Sequence, residues 1–309
     1  MIYFRVLLLL NAQKLNSKLS IIYLSVIVFF GCSKFDPPET IPSYIKIDSI
    51  EIETTSSQGS SNNSGIKDAW LYVNEELIGV FELPLTVPVL KTGTCNVKVY
   101  AGIKRNGFSE DGERYLFLNP FEISANLVAG EILQINPKVS YASNANIWIE
   151  DFEGPGIKLS KTSAADVDFS LTTDASEVFE GSRSAKVEFA SGNLLFEMQS
   201  DEAAFNNFNL GSSIYLEMDY KTNYQLIVGV FSRKTGELVD TQTPHLSLFP
   251  TTDDNGAMQW NKIYIDLAEA IRPQTPTEDL DIFIGIKYDQ TQSTTLPKAY
   301  FDNIKMIYF

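Results

Sequence analysis

What most constrains this chain is the period of its apolar residues. From Ile45 onward they recur at every second position, the spacing of a strand with one buried face, while helical spacing is hard to find. Ile45-Lys46-Ile47-Asp48-Ser49-Ile50-Glu51-Ile52 sets the pattern. Ala69–Val73, Leu77–Leu83, Cys95–Ile103, Tyr115–Leu118, Phe121–Leu127 and Ile132–Val139 continue it. A second series runs through Ile147–Phe152, Ala185–Phe189, Leu194–Met198, Ile214–Tyr220, Leu226–Ser232, Lys262–Leu267, Ile282–Tyr288 and Tyr300–Tyr308. The one helical candidate, Leu267–Ile271, is too short to form a layer.

Punctuation between the runs places the boundaries. Thr54–Gly65 is a Thr/Ser/Asn/Gln/Gly loop, and Asn74-Glu75-Glu76 is a turn. Pro84 and Pro88 cannot donate to a ladder, so their segment is an edge strand or a crossing between sheets. Tyr141–Asn146 is small, polar and without an apolar period, which makes it the linker between two regions. The expected architecture is all-β, a sandwich over residues 44–140 followed by a second over 147–309.

The N-terminus carries a different signal. Asn11–Ser20 holds Lys14 and Lys18 and no acid, and the apolar run Ile21–Phe30 follows, ending in Gly31-Cys32. A basic stretch, a short apolar run, a small residue and then Cys make up a lipoprotein signal peptide. The run is half the length needed to span a bilayer, about 20 residues. Residues 1–31 are therefore expected to be cut away and Cys32 to be acylated, tying the chain to a lipid bilayer. Phe29 and Phe30 depart from the commoner pattern, and the separate run Ile2–Leu10 leaves open a translation start near Asn11. Ser33–Pro42, with Pro37, Pro38 and Pro42, reads as a stiff tether, so 32–43 is a lipidated leader to the first sandwich.

Composition narrows the partners. The formal charge is −15, and loss of residues 1–31 removes Arg5, Lys14 and Lys18 but no acid, carrying it to −18. Nucleic acid would be repelled. Besides Cys32 there is only Cys95, which shares the parity of Val97 and Val99 and reads as a buried strand thiol.

Two resemblances add to this reading. Asp68-Ala69-Trp70-Leu71-Tyr72-Val73, Ile78-Gly79-Val80-Phe81-Glu82-Leu83-Pro84 and Gly102-Ile103-Lys104-Arg105-Asn106-Gly107 resemble an immunoglobulin-like or PEGA-like module of Bacteroidetes lipoproteins. That family has no established chemistry to carry over. Asp151-Phe152-Glu153-Gly154, Glu180–Val187, Trp260–Leu267 and Tyr300-Phe301-Asp302-Asn303-Ile304 resemble the jelly-roll carbohydrate-binding modules and their galactose-binding-like relatives. The second resemblance implies a structural Ca²⁺ held by Glu153 and Asp302, with carbonyls from the turn around Glu180–Ser182. The alternative is that both are solvated strand-end acids.

Sugar binding requires exposed rings beside amides and acids. Trp260, Tyr220 and Tyr288 share the parity of core positions or stand at a packing entrance. Tyr224 and Phe249 lie in loops among Asn223, Gln225 and Asp253-Asp254-Asn255, and are the candidate ligand-binding residues. Trp70 and Tyr72 share a strand face opposite Ala69, Leu71 and Val73, so Trp70 either packs beneath a neighbour or is an exposed contact. Catalytic patterns are scarce. His245 is the sole histidine, and neither Gly-x-Ser-x-Gly nor a phosphate-binding glycine loop occurs. Ser64-x-x-Lys67 lies in a polar loop.

The expected function is a non-catalytic lipoprotein of the bacterial outer membrane, on its periplasmic or cell-surface face, presenting a jelly-roll module to a glycan. A structural subunit with an envelope protein partner is the alternative, and a carboxylate-dependent hydrolase is a third reading.

Overall fold

The alternating runs become strands in a computed structural model, which describes residues 39–59, 64–200, 213–274, 277–291 and 293–309. Cys32, the expected signal peptide and most of the expected tether lie outside those residues. The first ten strands are β1 (Ser43–Ile47), β2 (Glu51–Glu53), β3 (Asp68–Val73), β4 (Glu76–Glu82), β5 (Leu85–Val89), β6 (Gly93–Lys104), β7 (Gly112–Arg114), β8 (Phe121–Leu127), β9 (Ile132–Ile135) and β10 (Lys138–Ser140). They form a sandwich. One sheet runs β4-β3-β6-β7 with β8 also on β6, and the other runs β5-β1-β9 with the pair β10-β2 beside it. The β3–β4 hairpin stays in one sheet, whereas the immunoglobulin order splits its second and third strands between sheets. Ala69, Leu71, Val73, Val97 and Val99 point into the core and are fully buried. Cys95 joins them at 3 % exposure.

Pro88 sits on β5, which pairs only with β1, so the segment with the two prolines is an edge strand crossing between sheets. The long run Ile45–Ile52 is broken at Asp48, and Ile132–Val139 is broken at Pro137. Tyr115–Leu118, expected as a strand, is instead a turn with a single bridge from Leu118 to Tyr141. Its rings explain this: Tyr115 and Phe117 are both buried, packed edge to face 5.4 Å apart, and both point towards the second sandwich.

That sandwich contains β11 (Asn146–Glu150), β12 (Leu159–Lys161), β13 (Phe169–Thr172), β14 (Ser184–Glu188), β15 (Leu195–Ser200), β16 (Ile214–Thr222), β17 (Leu226–Lys234), β18 (Thr241–Leu248), β19 (Asn261–Asp266), a short helix α1 (Ala268–Ile271), β20 (Thr277–Lys287) and β21 (Lys298–Tyr308). Its sheets run β13-β14-β21-β16-β19 and β12-β15-β20-β17-β18, and β11 pairs with the far half of β21. Counted from β14, the order is first-eighth-third-sixth facing second-seventh-fourth-fifth, which is the winding of a jelly roll. Phe196, Met198, Leu216, Met218, Ile282 and Phe301 fill the space between them. β12, β13 and β18 carry too little apolar alternation to be read from sequence. In β18, Thr241-Gln242-Thr243-Pro244 is a polar edge with its proline at a register shift.

The two sandwiches pack into one compact unit, Ser43–Phe309. All nine residues of β16 are buried. Leu216, Met218 and Tyr220 face the jelly-roll core, and Tyr215, Glu217 and Asp219 face the first sandwich. Tyr115 and Tyr141 donate their hydroxyls to Glu217 at 2.7 Å and 3.1 Å, and Lys262 Nζ lies 3.4 Å from Glu217 and 3.5 Å from Asp219. Burial opposes the charge on Lys262, but Asp219 and Glu217 outweigh it and hold its pKa above the ordinary lysine value. Burial, reinforced by Lys262, instead lowers Lys305 to about 8.

A turn of the first sandwich completes the joint. Asn106 (φ 55°) and Gly107 (φ 76°) take left-handed conformations at the tip between β6 and β7. The Asn106 backbone N–H donates to the Tyr264 carbonyl at 2.8 Å, and its side-chain oxygen accepts from the Asp266 N–H at 2.9 Å. The first sandwich thus holds β19 of the second by its backbone.

Candidate functional site

The Arg105–Phe108 turn lies across β19 and leaves a cleft on either side. On one side, Phe108 from the first sandwich and Phe249 from the second border a cleft of about 820 Å³. The two residues are 57 % and 78 % exposed, unusual for phenylalanine. Between them the lining is mostly apolar, with Leu246, Leu248 and Ile263, and carries polar groups at Ser247, Gln259 and Asn261. Asn261 donates to the Tyr220 hydroxyl at 3.2 Å and Gln259 to Asp253 at 3.3 Å, so both amides are held in place. Trp260 is half-buried at the back, with Phe179 at a centroid distance of 5.2 Å and Lys221 Nζ 5.1 Å over its ring. Two exposed phenylalanines flanking oriented amides can hold a ligand that has apolar faces and hydroxyl edges.

Phe249 is therefore placed as the sequence suggested, but Tyr224 is not beside it in this cleft. Tyr224 is half-buried, packed edge to face on Tyr288 at 5.5 Å, and its hydroxyl accepts the Asp289 N–H at 3.3 Å. Phe108 was missed. Its signal is an aromatic residue within the polar turn Asn106-Gly107-Phe108-Ser109-Glu110-Asp111, which nothing in a strand period requires. Trp70 is half-buried and borders the cleft on the other side of the turn.

The outer face of the β12-β15-β20-β17-β18 sheet offers another cleft, about 540 Å³, lined by Glu197, Gln242, Phe283 and Tyr288 among others. Glu197 accepts from Thr162 Oγ1 at 2.9 Å and from Gln242. Its rings are closed off, with Phe283 2 % and Tyr288 6 % exposed, so they present no stacking platform.

Glu153 and Asp302 come together at the joint. With Asp151, Glu180 and Asn303 they line a cleft of about 320 Å³, closed on one side by Thr54 and Thr55. Glu153 caps the following turn, its Oε1 accepting from the Ser182 and Arg183 N–H groups at 2.8 Å each and its Oε2 from the Ser182 hydroxyl. Asp302 accepts from Ser184 Oγ at 2.7 Å and from the Asn303 N–H at 2.8 Å. Burial nevertheless pushes Asp302 up to about 7. Glu180 Oε2 is buried with no hydrogen-bond partner among the described residues. The donor types suit calcium. However, no three His, Cys, Asp or Glu side chains among the described residues converge as metal ligands would.

No protein-family model matches the chain, and no curated protein does. Among solved structures it is similar to a family 11 carbohydrate-binding module from Clostridium thermocellum in complex with a β-1,3-1,4-mixed-linked tetrasaccharide. That match has 11 % identity and a TM-score of 0.35 over 52 % of this chain and 94 % of the module. A family 28 module specific for non-crystalline cellulose matches at 13 % identity and a TM-score of 0.36, covering 50 % and 89 % of the two chains. A module of the β-sandwich superfamily with promiscuous specificity matches at 12 % identity and a TM-score of 0.31 over 77 % of this chain and 83 % of that one. At these values the neighbours' ligands say nothing about the ligand of this chain.

Proposed function

We propose that this chain is a non-catalytic glycan-binding protein held to the outer membrane by acylated Cys32. The observation that carries the reading is the pair of exposed phenylalanines, Phe108 and Phe249, contributed by different sandwiches to one mostly apolar cleft that also presents the amides of Gln259 and Asn261. Sugar rings offer C–H faces to such rings and hydroxyls to Gln259, Asn261 and Ser247. The test is a glycan array probed with the full chain in detergent. Binding to a defined set of glycans, lost by about tenfold or more in Phe249→Ala, supports the reading, and an array with no signal above background removes it.

Acylation is a separate part of the proposal. Metabolic labelling with a clickable fatty acid should mark the wild-type chain and not Cys32→Ser. Calcium is a third part, with Glu153 and Asp302 as its side-chain holders and carbonyls from the turn around Glu180–Ser182 at the strand-end cleft. The unpartnered Glu180 oxygen supports it, and a melting temperature unchanged by saturating chelator would remove it.

A structural role with a protein partner has one observation of its own. Leu238 and Val239, at the tip between β17 and β18, are 95 % and 75 % exposed.

A further inference from the structure

The sequence contains six arginines, and three of them, Arg105, Arg114 and Arg272, line one cleft of about 560 Å³ on the other side of the Arg105–Phe108 turn. In a chain with 39 acids and 24 basic residues, half of its arginines gathered on one cleft is a local concentration of guanidinium groups. Arg105 and Arg114 come from the first sandwich and Arg272 from the second, just after α1. The cleft exists only because the two are joined.

Two acids also line it, and both are already engaged. Glu113 accepts the Tyr215 hydroxyl and lies 3.8 Å from Arg105. Asp266 accepts the Ala268 N–H at 2.9 Å and lies 3.8 Å from the same guanidinium. Arg105 is held in turn by Asp111, at 2.8 Å from its Nε. Arg114 differs. Its guanidinium lies 4.5 Å over the Tyr100 ring, and no carboxylate pairs with it among the described residues. Resting on that ring leaves its N–H groups for an incoming acceptor, and the planar fork matches a carboxylate in bidentate fashion. Trp70 forms an apolar wall of the same cleft.

We infer that this cleft binds the carboxylate of a uronic-acid unit, with Arg114 and Arg272 as its cationic contacts and Trp70 beside the sugar ring. The inference deepens the glycan reading and rests on it, since the turn that borders this cleft through Arg105 borders the aromatic cleft through Phe108. A volume of about 560 Å³ accommodates a saccharide unit.

The experiment is calorimetric titration of the full chain in detergent, at low salt, with tetragalacturonate, its methyl-esterified form and free galacturonate. Esterification removes the charge and keeps the sugar. The acid form should bind at least tenfold tighter than the ester, with an affinity that falls as salt rises. Arg114→Gln, checked for an unchanged melting temperature, should erase the preference, whereas Phe249→Ala should weaken both forms alike. Equal binding of acid and ester overturns the inference, as does a preference that survives Arg114→Gln combined with Arg272→Gln. Neutral glycans bound on the array with no galacturonate binding overturn it and leave the glycan reading standing. Arg114-dependent binding of free galacturonate with an empty array upholds the carboxylate site and overturns the aromatic cleft.

Discussion

The two sheets of the jelly roll have outer faces that resemble each other in sequence and differ in their surroundings. Ile214-Tyr215-Leu216-Glu217-Met218-Asp219 alternates, as does Leu195-Phe196-Glu197-Met198-Gln199-Ser200. On β16 the intervening polar residues lie beneath the first sandwich, where Glu217 is 1 % and Asp219 2 % exposed. On the opposite sheet Glu197 borders an open cleft, and Lys287 is exposed to solvent. A period of two identifies which residues share a face, but not what covers that face. On the open face Lys287 is solvated and Glu197, though buried, is satisfied by Thr162 and Gln242, whereas the covered face depends on Tyr115, Tyr141 and Lys262.

That contrast breaks if charge removal costs the same on both faces. Glu217→Ala leaves Lys262 with Asp219 alone and two tyrosine hydroxyls without their acceptor, and should cost about 3–5 kcal/mol in urea unfolding. Asp302→Asn moves the other way: it removes a carboxylate that burial disfavours, and should be more stable than the wild type by roughly 2–4 kcal/mol above pH 7. The carboxyl is lifted to about 7 in the folded protein from an ordinary 3.8. The folded state therefore holds its proton more tightly. The stability this contributes is complete below the ordinary value and is lost as pH rises through about 7. Melting temperatures across that window should fall in the wild type and flatten in Asp302→Asn; parallel curves would show that Asp302 does not titrate there. Tyr141→Phe, which removes one hydroxyl from Glu217, should cost about 1.5–3 kcal/mol by the same urea assay. Lys287→Ala and Phe249→Ala, on open surfaces, should stay within about 0.5 kcal/mol of wild type. A larger loss at either would mean that its face is covered.

Much of the fold was legible because a buried strand face imposes its period directly. Ala69, Leu71 and Val73 are fully buried as their parity requires, and Phe121–Leu127 is a strand with the expected limits. Pro88 marked an edge because a residue without an N–H cannot serve an interior strand. Phe249 was legible as an aromatic in a polar loop. Its companion Phe108 was not, because their proximity depends on how the two sandwiches dock, and no local period encodes that. The same docking hides Tyr115 and Phe117 in a turn that reads as a strand, and buries Lys305 to 1 % exposure in a strand that reads as half-solvated. Tyr224 stands apart from Phe249 for a local reason: its ring packs edge to face on Tyr288.

β6 runs for twelve residues without interruption, about 40 Å at the usual rise of a strand. One end begins just after Lys91, whose carbonyl accepts the Ser43 hydroxyl at 2.9 Å. The other end becomes the turn that holds the jelly roll and borders both clefts. A single strand is therefore a spar from the entry of the compact unit to the place where a ligand would be held. Tension on a captured polymer would run along its axis and be shared among its hydrogen bonds to β3 and β8, loaded together instead of peeled one at a time. In a chain that held a polymer at these clefts while tethered ahead of Ser43, the first sandwich would work as a standoff between the two.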